Sequence, residues 1–160
     1  MPLAVSVASV DKVEMCGSCQ NLPEGLLHAL LPGPVTVVLA RRPDAPLSRF
    51  LNPGLTGVAI RVPAHGFIQR VVSEVGSPVV LTSANKSGEA STTAVEQFSG
   101  LCNQIDRVFD GGEIRSDGRG STIIDLQRSG EGAFSVLRDG SALEATVSVL
   151  SRFGLSQSPV

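Results

Sequence analysis

An α/β fold, a twisted mixed β-sheet flanked by helices, is the class this sequence predicts. Strand-like apolar runs alternate with amphipathic helical stretches along most of the chain. The last two strand-like runs are close enough to form a hairpin. Hydrophobic residues make up 42% of the 160 and charged residues 18%, a balance that excludes a disordered chain and favours a well-buried sheet. This length suits one domain with a real core rather than two.

Taken in order, Met1-Pro-Leu-Ala-Val-Ser-Val-Ala8 reads as a strand, and Ser9 caps a helical stretch to about Met15. Leu22-Pro23-Glu24 opens a second helix with proline in its first turn, and Leu26, Leu27, Leu30 and Leu31 supply its apolar face. Pro32-Gly33-Pro34 stops that helix, and Val35-Thr-Val-Val-Leu-Ala40 is a second strand. A polar turn, Arg41 to Asp44, leads into a loop with a short helical piece over 45–55. Val58-Ala-Ile-Arg-Val62 is the third strand, ended by Pro63. His65 to Val75 is an amphipathic helix with Phe67, Ile68, Val71, Val72 and Val75 inward.

Val79 to Thr82 then reads as a buried strand that breaks abruptly into small polar residues, Ser83, Asn85 and Ser87. A short helix follows around Thr93 to Phe98, and Asp106 to Gly112 reads as a short strand with a glycine turn. Glu113 to Gly120 is a polar, glycine-containing loop. Ser121-Thr-Ile-Ile-Asp-Leu126 and Phe134-Ser-Val-Leu-Arg138 are two strands, and Ser141 to Phe153 is a helix with Leu143, Val147 and Leu150 inward. One domain over 1–153 and a flexible tail over 154–160 is the expected organisation.

Composition narrows the function classes. A net charge of −2 argues against bulk electrostatic binding of nucleic acid, and a chain without Trp or Tyr has little for a base-stacking platform. No apolar run approaches membrane-spanning length, and no charged leader with an apolar core marks the chain for secretion. Three cysteines fit a reducing compartment better than a disulfide framework. Cys16-Gly-Ser-Cys19 has the spacing of a zinc knuckle or a redox pair. No second Cys/His pair follows it at a suitable distance, and it does not open a helix after a strand.

Several strand ends carry the same kinds of group. Thr36 follows the Pro-Gly-Pro stop, Ser83 and Asn85 follow their strand, Ser121 opens another, and Arg138 closes the last. Arg61 sits inside an otherwise apolar strand, where a charge must either pair with a carboxylate or project into a cleft. Two arginines, hydroxyls and an amide suit a ligand carrying phosphates and a carboxylate. No nucleophile elbow, zinc-protease helix, Walker loop or dinucleotide fingerprint is present, so an enzyme of this kind works by positioning and charge stabilisation.

Leu31-Pro-Gly-Pro-Val-Thr36, Val58-Ala-Ile-Arg-Val-Pro-Ala-His65, Pro78-Val-Val-Leu-Thr-Ser-Ala-Asn-Lys-Ser-Gly88, Gly120-Ser-Thr-Ile-Ile-Asp125 and Val136-Leu-Arg-Asp-Gly140 occur in this order. Together they resemble the YrdC family of L-threonylcarbamoyladenylate synthases, most closely its eukaryotic members, from Pro2 to about Phe153. The resemblance implies a single YrdC-like α/β domain that condenses L-threonine, bicarbonate and ATP into threonylcarbamoyl-AMP. Its product would feed threonylcarbamoyladenosine formation by the tRNA-modification machinery, in the cytoplasm or, for a complete form, the mitochondrion. By match of motif, Ser83, Asn85, Ser91 and Arg138 would hold ATP, with Mg²⁺ carried on the triphosphate. Arg61 and Ser121 would hold L-threonine, and Thr36 and His65 fall within matching blocks. No residue is implied as a metal ligand or as a covalent catalyst.

The family pattern also has an amino-terminal segment with a Pro-Thr-(Asp/Glu)-Thr-x-(Tyr/Phe)-Gly-Leu strand and a Lys-x-Arg phosphate grip. Neither stands in this sequence, so the expectation is an amino-terminally truncated domain. The alternative reading is a catalytically impaired form that retains nucleotide or RNA binding, because losing one such donor costs roughly 10²- to 10³-fold in rate.

Overall fold

Seven strands form, most of them from runs rich in β-branched residues and leucine. They are β1 (Ala4–Ser6), β2 (Val35–Ala40), β3 (Gly57–Arg61), β4 (Val79–Leu81), β5 (Thr122–Asp125), β6 (Ala133–Arg138) and β7 (Ser156–Gln157). In the computed structural model, which describes residues 2–85, 91–102, 104–114 and 118–159, they form one sheet in the order β4-β1-β3-β2-β5-β6-β7. The sheet is mixed: β1 is parallel to β3 and β2 to β5, while β2–β3, β1–β4 and β5–β6 are antiparallel.

Four helices are described: α1 (Leu26–Leu30), α2 (Gly66–Val75), α3 (Ser99–Cys102) and α4 (Leu143–Arg152). Three 3₁₀ turns join them, at Val10–Met15, Val95–Phe98 and Ser129–Glu131. Contacts divide the chain into two compact units. The first comprises Met1–Leu81 and Ser121–Val160 and holds the whole sheet; the second is Thr82–Gly120. The core lies in the first unit, where Val5, Val37, Ile60 and Ile124 on the central strands are fully buried with Leu26 of α1 and Leu150 of α4. Each such side chain contributes about 1.5–3 kcal/mol of burial free energy.

Most expected elements form, and the differences have local causes. The second helix begins at Leu26 rather than at Pro23, because Gly25 adopts the left-handed conformation (φ 78°) and sets the helix start behind it. The strand at Val79 is an edge strand, not a buried one. Among the described residues it pairs on one side only, with β1, and leaves Val80 about half exposed. An apolar run does not by itself distinguish an edge from a centre. Phe67 and Val75, expected inward on α2, are exposed, while Val72 carries the burial.

Residues 106–110, expected as a short strand, are not assigned to a strand. The tail expected to fray after Phe153 is instead tied down. Leu155 is buried, β7 runs parallel to β6, and Ser158 N donates to Phe134 O at 2.8 Å. Among the described residues no helix is long and apolar enough to cross a membrane.

Candidate functional site

Arg61, the last residue of β3, resolves the choice posed by a charge in an apolar strand. Among the described residues no carboxylate pairs with it, and its Nε is buried without a hydrogen-bond partner. Burial first, and the Arg138 charge second, push its pKa down from the ordinary value. A guanidinium nonetheless stays protonated at neutral pH, so the strand end presents a partly desolvated cation.

The sheet register explains what surrounds it. Ser6 is paired with Arg61 across β1 and β3, and Thr36 sits beside the same strand end because Val37 pairs with Ile60 in the antiparallel β2–β3 ladder. Thr36 in turn pairs with Ile123, and Ile123 with Arg138. One line of residues across five strands thus gathers Ser6, Arg61, Thr36 and Arg138 at one end of the sheet. Because the sheet is mixed, this end holds the carboxyl ends of β1, β3 and β6 and the amino ends of β2 and β5.

Arg138 and Thr36 converge on Ser121. The Arg138 guanidinium donates from Nε and Nη2 to Ser121 O at 2.9 and 2.7 Å, and from Nη2 to Ser121 Oγ at 2.9 Å. Thr36 Oγ1 and Ser121 Oγ share a buried hydrogen bond of 2.7 Å. A planar donor fork on a carbonyl and a hydroxyl holds a guanidinium in a fixed plane. Beside it stands the Arg61 guanidinium, and two such donors are chemically suited to a carboxylate or phosphate.

Ser6 is the residue that sequence reasoning missed. It is fully buried, and its Oγ has no hydrogen-bond partner among the described residues, so it stands as a second unsatisfied polar group beside Arg61. A serine in a strand carries no special signal. Only the register with Arg61 reveals it.

Of the other expected site residues, His65 precedes α2 as its N-cap. Its carbonyl accepts from Gln69 N at 3.1 Å, its ring makes no capping bond, and it is exposed. Ser83, Asn85 and Ser91 belong to the second unit, where Thr92 Oγ1 donates to Ala84 O at 3.2 Å and ties the two sides of their loop. Lys86 to Gly88 of that block lie outside the described residues.

Among the described residues no cluster of three or more His, Cys, Asp or Glu could hold a metal. The groups around Arg61 are cationic and hydroxylic, so they fit an anion and do not fit a divalent cation. Cys16 and Cys19 are free thiols, and burial pushes both up from their ordinary values, which makes them poor nucleophiles. A cleft of about 220 Å³ lined by Val7, Lys12, Met15, Val72, Ser73, Ser77 and Pro78 has a mostly apolar wall and lies apart from Arg61.

The Sua5/YciO/YrdC family model, described as telomere recombination, matches residues 1–140. Human threonylcarbamoyl-AMP synthase is 43% identical over 162 residues, covering 96% of this chain and 56% of that protein. Its *Pyrococcus abyssi* namesake is 36% identical over 132 residues, covering 78% of this chain and 36% of that one. This chain therefore spans just over half the length of the mammalian relatives it matches. Among solved structures, *P. abyssi* Sua5 complexed with L-threonine superposes with a TM-score of 0.81 at 31% identity, covering 98% of this chain and 45% of that chain. *Escherichia coli* YciO, at 21% identity and a TM-score of 0.74, covers 88% of this chain and 66% of its own and shares the fold.

Proposed function

This chain belongs to the Sua5/YciO/YrdC family, and we propose that it acts in forming threonylcarbamoyl-AMP from L-threonine, bicarbonate and ATP. The observation that carries the reading is the half-buried Arg61 guanidinium, without a carboxylate partner among the described residues, beside an Arg138 held in place by Ser121. Two fixed cations at one sheet end suit a substrate set made of an amino-acid carboxylate and a polyphosphate. The threonine complex of the *P. abyssi* relative supports the same substrate class.

In this reading Arg61 binds the L-threonine carboxylate and leaves the amine free to react. The Ser121 hydroxyl contacts the same substrate. Ser6, buried and unsatisfied beside Arg61, takes a polar group of that substrate in place of water. The threonine nitrogen bonds to the bicarbonate carbon with loss of water, a carboxyl oxygen of the resulting carbamate bonds to the α-phosphorus, and pyrophosphate leaves. Arg138 stabilises charge on the nucleotide, and Ser83, Asn85 and Ser91 hold it. Thr36 and His65 complete the matching blocks. Mg²⁺ enters as the counter-ion of ATP, on the triphosphate oxygens. In this reading the product passes to the machinery that modifies tRNA, and the protein works in the cytoplasm.

A pyrophosphate-release assay tests this. Release that requires L-threonine and bicarbonate together with Mg-ATP is the expected result. Binding of ATP with no binding of L-threonine would sink the reading.

A further inference from the structure

Thr36 is a hydroxyl in a strand of valines and leucine, and it is almost wholly buried. Burying a hydroxyl is unfavourable unless it is hydrogen-bonded. Its partner is Ser121 Oγ at 2.7 Å, from the far side of the sequence but the next strand in space. The backbone fastens the same junction, with Thr122 N donating to Pro34 O at 3.0 Å.

Ser121 Oγ has one proton and two acceptor positions. Arg138 Nη2, which can only donate, occupies one of them at 2.9 Å. Either oxygen can supply the proton of the Thr36–Ser121 bond; when Thr36 donates, it fills the second position and leaves the Ser121 proton to point at a ligand. Reversing the Thr36–Ser121 bond would spend that proton inside the protein. The β-branched threonine side chain is stiff at χ1, so its hydroxyl is held in one direction against Ser121.

We propose that Thr36 is a positioning residue: by donating to Ser121 Oγ it fixes the Ser121 proton toward an anionic substrate and completes the cradle that orients Arg138. This rests on the reading of the site as a receptor for the L-threonine carboxylate. Thr36 itself touches no substrate. It acts through Ser121, and through Ser121 on the Arg138 guanidinium.

The experiment compares the unmutated chain with Thr36→Val, Thr36→Ser, Ser121→Ala and the Thr36→Val/Ser121→Ala pair. It reads two quantities, L-threonine affinity by calorimetry and the Arg138 Nε–H signal by ¹⁵N NMR without ligand. Thr36→Val is expected to weaken L-threonine roughly tenfold and to shift or broaden the Arg138 signal. Thr36→Ser is expected to restore both, and Thr36→Val to add nothing once Ser121 is alanine. Unchanged affinity and signal in Thr36→Val overturn the proposal, as does a Thr36→Ser variant that behaves like Thr36→Val. If Thr36→Val does not fold, Thr36→Ser and Ser121→Ala still decide: an unmoved Arg138 signal in Ser121→Ala overturns it. Absence of L-threonine binding by the unmutated chain, with the Arg138 signal still responding to Thr36→Val, overturns the site reading and with it this role.

Discussion

Arg138 bears on Arg61 as a like charge: it helps to depress the pKa of the Arg61 guanidinium, while its own guanidinium is anchored on Ser121 by three hydrogen bonds. A fold gains nothing from holding two cations near each other with one of them unpaired. An incoming anion removes the repulsion, so the arrangement costs stability in the free protein and rewards binding.

Arg61→Met tests the cost. Methionine keeps much of the length and removes the unpaired charge, so the variant is expected to be more stable by about 1 kcal/mol or more. Denaturant unfolding at neutral pH reads it. A destabilised variant would mean that Arg61 has a structural partner.

Arg41 has the opposite character. Its guanidinium donates to Leu51 O at 3.1 Å, Leu47 O at 2.9 Å and Ser48 O at 3.1 Å, and so pins the loop that follows β2. Arg41→Ala is expected to cost about 3 kcal/mol in denaturant unfolding. A loss below about half a kcal/mol would show that the loop holds itself.

The fold and site were legible where a local pattern decides. Strand β2 stands within the bounds read from Pro-Gly-Pro on one side and Arg-Arg-Pro on the other. Arg61 declared itself as a charge among apolar neighbours. What could not be read depends on pairing between distant segments. Ser6 matters only because β1 lies beside β3, and Thr36 meets Ser121 85 residues away. The edge position of β4 has the same origin, since it depends on which strands lie beside it.

Gly17 lies where the Cys-x-x-Cys segment presses on the sheet. An added Cβ would stand 2.7 Å from Leu39 Cβ and 2.9 Å from Leu39 Cδ1. Gly17→Ala is therefore expected to destabilise by about 1–3 kcal/mol through overpacking. A neutral effect in thermal or denaturant unfolding would show that Leu39 can give way.

Cys16 supplies the pH test. Burial raises its thiol above the ordinary value, with Arg41 opposing it weakly, so the folded protein holds this proton more tightly than the unfolded chain does. The linked stability is intact below the unfolded value and declines as pH rises through about 9.0 toward the folded one. Alkylation by iodoacetamide at pH 8 is expected to be far slower at Cys16 than in the unfolded chain. Equal rates would mean that the segment opens freely.

The central claim is that Arg61 receives a carboxylate, and calorimetric titration of L-threonine into the unmutated chain and into Arg61→Ala tests it most directly. The account expects binding to the unmutated chain and a loss of roughly ten- to a hundredfold in the variant. L-Threoninol, which lacks the carboxylate, should not distinguish the two proteins. Equal L-threonine affinity in both proteins would contradict the account.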